Sequence, residues 1–178
     1  YEIMRSLVGS EMCIRDRQQI SSTIFGVEGG HYLRPFIEGK RGELSQIMQR
    51  RLQQPENTLS EYLDALSELD GFRQEVVRYF KSFDLLICPV GPVPAHPHNS
   101  RGLHVGDQHV LGRHALNCTV PFDLTGSPAL SVPFGWTADG LPIGVQLVGR
   151  HFDEANLLKI GLTLEFERGA NRYRPHNL

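Results

Sequence analysis

Apolar positions between residues 58 and 83 recur at three- and four-residue steps: Leu59, Tyr62, Leu63, Leu66, Leu69, Val76, Val77, Phe80 and Phe83. That spacing lines one face of a long helix and predicts that this face is buried. Thr58, followed three residues later by Glu61, predicts a capping box at its start, and Gly71 is a candidate bend within it. Residues 18–55 carry a weaker signal. Leu44, Ile47, Met48, Arg51 and Leu52 have helix-like spacing, whereas Gly29-Gly30, Pro35 and Gly42 are breakers, so short helices joined by loops are expected.

The period changes after the long helix. Leu85-Leu86-Ile87-Cys88-Pro89-Val90 is a short continuous apolar run, as expected of a strand covered on both faces in a parallel or mixed sheet. Residues 91–112 are rich in Pro, His, Gly and Asn without periodicity and are expected to form a long surface loop. Leu130, Val132 and Phe134 then alternate with Ala129, Ser131 and Pro133; past an Asp139-Gly140 turn, Ile143, Val145 and Leu147 alternate with Gly144 and Gln146. This is the period of a hairpin. Asp153 is a good N-cap for a last helix through Leu157, Leu158, Gly161, Leu162, Leu164 and Phe166, ending near Gly169 and followed by the basic tail Arg172-Tyr173-Arg174-Pro175. Helix, strand, hairpin and helix in this order predict an α/β fold, part of a mixed β-sheet flanked by helices.

Composition narrows the functional classes. The 178 residues are 40% apolar and 21% charged, with a formal net charge of -2, and no apolar run approaches the length that spans a bilayer. Basic residues are scattered among acidic ones, so there is no footprint for nucleic acid. Cys13, Cys88 and Cys118 fit neither a disulfide framework nor a zinc pattern, which points to a reducing, cytoplasmic location. The stretch Gly9-Ser10-Glu11-Met12-Cys13-Ile14-Arg15-Asp16-Arg17 resembles translated sequencing-adapter read-through. Residues 1–17 are therefore expected to be a non-native leader, with the domain proper at 18–178; the alternative is a genuine amphipathic lead-in helix.

One stretch carries more than periodicity. Thr119-Val120-Pro121-Phe122-Asp123-Leu124-Thr125-Gly126-Ser127-Pro128-Ala129-Leu130-Ser131-Val132-Pro133 resembles the C-terminal signature of the amidase signature family. Gly140-Leu141-Pro142-Ile143-Gly144-Val145-Gln146-Leu147-Val148-Gly149-Arg150, Phe152-Asp153-Glu154 and Leu157-Leu158 follow that family's pattern in order. Upstream, Phe83-Asp84-Leu85-Leu86-Ile87-Cys88-Pro89 and Pro92, Pro94 and Ala95 look like its preceding strand and turn, with Cys88 at a position where a Thr- or Gly-containing variant is more usual. The resemblance implies a mixed sheet ringed by helices. It also implies hydrolysis of a carboxamide by a nucleophilic Ser, a bridging Ser and a Lys, through an acyl-enzyme, without metal or organic cofactor. In the family those catalytic residues lie on a Gly- and Ser-rich segment N-terminal to the motifs seen here. No such segment occurs in this sequence, so no catalytic role is carried over and the chain alone is expected to be inactive. By resemblance, Thr119, Pro121, Phe122 and Gly126 pass beside the acyl pocket as substrate-binding residues; a purely structural reading, as a Gly- and Pro-shaped lead into the hairpin, stays open beside it.

Other candidates carry less. Ser21-Ser22 lack neighbouring glycines that would let backbone amides converge on an oxyanion, and Lys40, Lys81 and Lys159 read as solvated side chains. His96, His98, His104, His109 and His114, with Asp107 among them, lack the spacing of a metal site and read as a polar surface loop. Cys88, inside an apolar run, reads as a buried inert thiol. The substrate expected for the intact enzyme is a small or lipid-like carboxamide, with a homodimer left open. Two alternatives remain: one component of a glutamine-dependent amidotransferase, or a catalytically silent interaction module. Phe134, where many relatives have Cys, tilts the reading from the amidotransferase component towards a free-standing hydrolase.

Overall fold

A computed structural model of the chain describes residues 11–53, 55–98, 100 and 102–168. Most of the leader, the helix end near Gly169 and the 172–175 tail lie outside the described residues or their side chains. The chain forms two compact units, Tyr1–Phe72 and Arg73–Leu178.

In the first unit, α1 (Glu11–Ile37) is one helix of 27 residues. It runs on through Gly29-Gly30, contrary to the expected break, and carries Pro35 in its last turns. Gly costs a helix interior only about 1 kcal/mol, so neighbouring burial outweighs it. Here Ile20, Thr23 and Ile24 are buried. Pro35 is tolerated near the helix end, where little helix remains to be disrupted. A single 3-10 turn (Arg41–Glu43) and α2 (Gln46–Leu52) follow, α2 capped by the Ser45 hydroxyl, which accepts from the Met48 amide at 3.3 Å. The guanidinium of Arg17 lies 3.7 Å from the centre of the Phe72 ring.

The long helix α3 (Leu59–Tyr79) is continuous through Gly71. Its capping box forms as expected. The Thr58 hydroxyl accepts from the Glu61 amide at 3.2 Å, while the Glu61 carboxylate accepts from the Thr58 amide at 2.7 Å and from its hydroxyl at 2.9 Å. Ala65, Leu69, Phe72, Val76 and Phe80 are the buried stripe, whereas Leu59, Leu63 and Val77 face out. The bonds from Thr58 hold the Glu61 carboxyl below its ordinary value of 4.5. A carboxyl lowered in the fold stabilises above its unfolded value, and that contribution is lost as pH falls through the lower folded one. Thr58→Ala is therefore expected to destabilise α3 at neutral pH, and the part of the deficit that comes from the hydroxyl bond to the Glu61 carboxylate is expected to disappear as pH falls through the lowered folded value. Helix content by far-UV circular dichroism against pH checks this; a deficit unchanged in acid would exclude the carboxylate's part in the cap.

The second unit is built on a three-stranded sheet ordered β1-β5-β4, with β1 at Leu86–Pro89, β4 at Ala129–Trp136 and β5 at Pro142–Val148. Both ladders are antiparallel, pairing Leu86 with Val148 and Leu130 with Leu147. The parallel partner expected of a mixed sheet is not found among the described residues. Nor is β1 covered on both faces: Leu86 and Cys88 are buried while Ile87 is 48% exposed, and β1 pairs only with β5 among the described residues. The hairpin turn has Gly140 at φ 80° and is closed by the Leu141 amide on the Thr137 hydroxyl at 2.9 Å. A bulge between Pro133 and Gly135 shifts the register and leaves Phe134 and Ile143 largely exposed, although alternation places them inward.

The last helix, α5 (Glu154–Arg168), covers one face of the sheet, and Val132, Leu147 and Leu157 form its buried core with Leu130, Val145, Ile160 and Leu164 against them. Gly161 lets the helix approach closely, since a Cβ there would lie 2.5 Å from Leu130 Cδ2. Asp153 precedes the helix as expected and its carboxylate accepts from the Asn156 side-chain amide at 2.6 Å. Residues 91–112 are not wholly loop. They contain a small hairpin of β2 (Leu103–Val105) and β3 (Gln108–Val110), turned at Gly106 with φ 58°. A three-residue strand is too short for alternation to register in the sequence.

Candidate functional site

The four expected site residues lie on or beside one short helix, α4 (Val120–Thr125), which links a 3-10 segment (Gly112–Leu116) to β4. Pro121 sits in its first turn, where the missing N–H costs no hydrogen bond. Gly126 ends it at φ 67°, a left-handed cap that favours glycine, with its amide donating to the Phe122 carbonyl. The helix is thus written into the residues that carry the family resemblance.

The structure does not gather these four around one cavity. Thr119 is half-buried before the helix; its hydroxyl donates to the Leu116 carbonyl at 3.3 Å and its own carbonyl accepts from the Phe122 and Asp123 amides. Pro121 and Phe122 are buried, and Gly126 is exposed at the far end. At about 1.5 Å per residue, Thr119 and Gly126 stand roughly 10 Å apart along the axis. Every one of the four has a structural account. Buried polar groups adjoin both ends of α4, and those at the Thr119 end tie three segments together.

That chemistry centres on Gln146, which alternation along β5 assigns to the face opposite the core. It is 4% exposed. Its side-chain amide donates to the Cys118 carbonyl at 2.9 Å and to Cys88 Sγ at 3.3 Å, tying β1, β5 and the segment leading into α4 at one point. Burial pushes the thiols of Cys88 and Cys118 up, the Gln146 bond partly offsetting this for Cys88. Both are free cysteines, and neither is held as a thiolate nucleophile. Buried polar side chains are hydrogen-bonded, so Gln146 marks a fixed point of the fold.

A second polar cluster stands at the Gly126 end. The Thr125 and Ser127 hydroxyls share a hydrogen bond of 2.9 Å, and His151 Nε2 donates to the Thr125 carbonyl at 2.9 Å, a carbonyl oxygen being only an acceptor. The Arg73 guanidinium caps the Leu124 carbonyl at 3.2 Å, and the Gly149 amide donates to the Pro128 carbonyl at 3.0 Å. Beside this cluster opens a cleft of about 440 Å³.

The other candidates remain as ordinary groups. The Ser22 hydroxyl donates to the Gln18 carbonyl one turn back in α1. His104 and His109 face each other across the small hairpin with ring centres 5.1 Å apart, and His114 Nδ1 lies 3.1 Å from the Asn117 side-chain nitrogen. Among the described residues, no three His, Cys, Asp or Glu side chains are grouped to hold a metal ion, and no helix is long and apolar enough to cross a membrane.

Comparison with known proteins gives this arrangement a context. The Amidase family profile matches residues 12–158. The A subunit of the glutamyl-tRNA(Gln) amidotransferase of Methanococcoides burtonii is 36% identical over 117 residues, 64% of this chain and 23% of that protein. Its counterpart from Myxococcus xanthus is 41% identical over 107 residues, 60% and 21% of the two chains. Among solved structures, a 6-aminohexanoate cyclic dimer hydrolase superposes with a TM-score of 0.73 at 26% identity, over 95% of this chain and 37% of its own. A further amidase structure, at 24% identity, shares the fold with a TM-score of 0.79 over 87% and 36%. The chain spans about a quarter of the length of the curated relatives it matches. On the profile match across residues 12–158, the chain belongs to the amidase family.

Proposed function

We propose that this chain is the C-terminal portion of a serine-type amidase that hydrolyses a carboxamide, working with a nucleophilic Ser, a bridging Ser and a Lys supplied by a segment N-terminal to the motifs seen here. The observation that carries the reading is the family match over residues 12–158, which includes α4 and the whole hairpin. In this reading Thr119, Pro121, Phe122 and Gly126 form a wall of the substrate site, and Gln146 supports it by holding the Cys118 carbonyl. Two free, partly or wholly buried thiols support a reducing, cytoplasmic setting.

The test is to express the complete reading frame and measure ammonia release from a panel of simple carboxamides and glutamine. Replacing the upstream nucleophilic Ser by Ala is expected to lower release by about a thousandfold or more. A complete frame that lacks the Ser and Lys, or that releases no ammonia from any amide, would leave a catalytically silent module as the better account. The identity to amidotransferase components favours a second reading, in which the ammonia is passed on to a partner enzyme. Glutamine hydrolysis that appears only when partner proteins are added would decide for it; turnover of simple carboxamides by the isolated enzyme would decide against it.

A further inference from the structure

The cleft at the Gly126 end of α4 has a chemistry that the amide-hydrolysis reading does not use. Its floor is apolar, from Val76 on the last turn of α3 and Phe80 just past it, both buried, with the exposed Val77 beside them. Its rim carries Lys81, just past α3, and Arg150 and His151 on the loop between β5 and α5. Ser127 completes the lining.

These polar groups differ in what they have left to offer. The Ser127 hydroxyl is engaged with Thr125, and the His151 Nε2–H with the Thr125 carbonyl, so His151 serves as a wall that pins the loop carrying Arg150. Lys81 forms no side-chain ion pair among the described residues. Arg150 pairs with Asp84, whose side chain is 96% exposed. An ion pair so open to water is weak, and a guanidinium has five N–H donors, so an incoming carboxylate competes readily for it. The Asp84 contact is made through one terminal nitrogen of Arg150, which leaves its other donors to meet a second carboxylate. Two cationic donors above an apolar floor, in a cavity of about 440 Å³, suit one anionic head and one small apolar tail.

We propose that this cleft binds an apolar monocarboxylate, its tail on Val76 and Phe80 and its carboxylate between Lys81 and Arg150. The site is separate from the Thr119 end of α4 and does not depend on amide hydrolysis. It is therefore tested by binding to this chain alone, without turnover.

Phenylacetate and phenylacetamide form the probe pair, equal in shape and differing in charge. Binding is followed by calorimetry or by shifts of backbone amide resonances. The acid is expected to bind saturably and about tenfold more tightly than the amide, the scale of a hydrogen bond to a charged group. Lys81→Met and Arg150→Met should each lower affinity for the acid about tenfold and leave the amide unchanged. Asp84→Asn should act in the opposite direction and tighten the acid several-fold by releasing Arg150. All three positions are exposed, so folding is expected to survive, with far-UV circular dichroism as the control. Equal binding of acid and amide, no saturable binding of phenylacetate, or weaker binding in Asp84→Asn would each overturn the proposal.

Discussion

Leu147→Ala is expected to remove about 3 to 4 kcal/mol from the second unit, the cost of deleting a fully enclosed leucine and leaving a cavity behind it. Leu147 is 0% exposed on the central strand, packed with Val132 and Leu157 under α5. A domain is stable by only about 5 to 15 kcal/mol, so this one change takes a large share. The chain has a single tryptophan, Trp136, and it lies at the end of β4 in the same unit. Urea unfolding followed by its fluorescence therefore reports on this sheet, and the midpoint should fall by roughly 1 to 3 M. Leu162→Ala is the control: it is the same chemical change on α5, at a residue 65% exposed, and should cost no more than about 0.5 kcal/mol. Equal losses at the two positions would mean that the core is not where β5 and α5 meet.

Gln146→Glu is expected to be nearly as damaging, at about 3 kcal/mol or more, although it exchanges one amide nitrogen for an oxygen. The Gln146 amide is a donor to both the Cys118 carbonyl and the Cys88 sulfur. A carboxylate there offers only acceptors, brings a charge into a buried site, and faces an acceptor across 2.9 Å. Gln146→Leu, which has similar bulk and no charge, should cost about 1 kcal/mol or more, the penalty for leaving a half-buried carbonyl without its donor. Both changes should speed alkylation of Cys118 at neutral pH, because the segment before α4 loses its anchor. In the native chain that reaction should be slow, since burial raises the thiol. The deficit of the Glu variant should shrink as pH falls and its carboxyl is protonated. A Glu variant as stable as the native chain, with Cys118 alkylated no faster, would remove Gln146 from its place as a tie between three segments.

These two neighbours on β5 also show what the residue pattern reveals and what it hides. Leu147 is legible as core from alternation, and the long helix, its capping box, the hairpin and the last helix are legible from local spacing and caps. Gln146 is not, because its burial depends on β1 and on the Cys118 segment, which lie far away in sequence. No window of a dozen residues contains that information. The unbroken α1 has a similar explanation: glycine is a weak local veto that burial of Ile20 and Ile24 can outweigh, and Pro35 falls where the helix is about to end. For the site, the family motif coincides with α4. It does not separate Thr119, beside the Gln146 tie, from Gly126, whose φ of 67° gives it a capping task at the other end. The cationic cleft is hidden because Lys81 and Arg150 stand about 70 residues apart and neither belongs to a local motif.

The pairing of Leu86 with Val148 sets an order of assembly during synthesis. Strand β1 leaves the ribosome about 60 residues ahead of its partner β5, a delay of several seconds at ordinary elongation rates. Throughout that interval β1 lacks the β5 strand that it pairs with, and Cys88 waits without the Gln146 amide. The β4–β5 hairpin, joined by a short turn, closes in microseconds once it emerges and can then recruit β1 as the third strand. The nascent chain is thus most open to mispairing and thiol oxidation while residues 86 to 148 are being made, and a chaperone acting over that window would do the most for its yield.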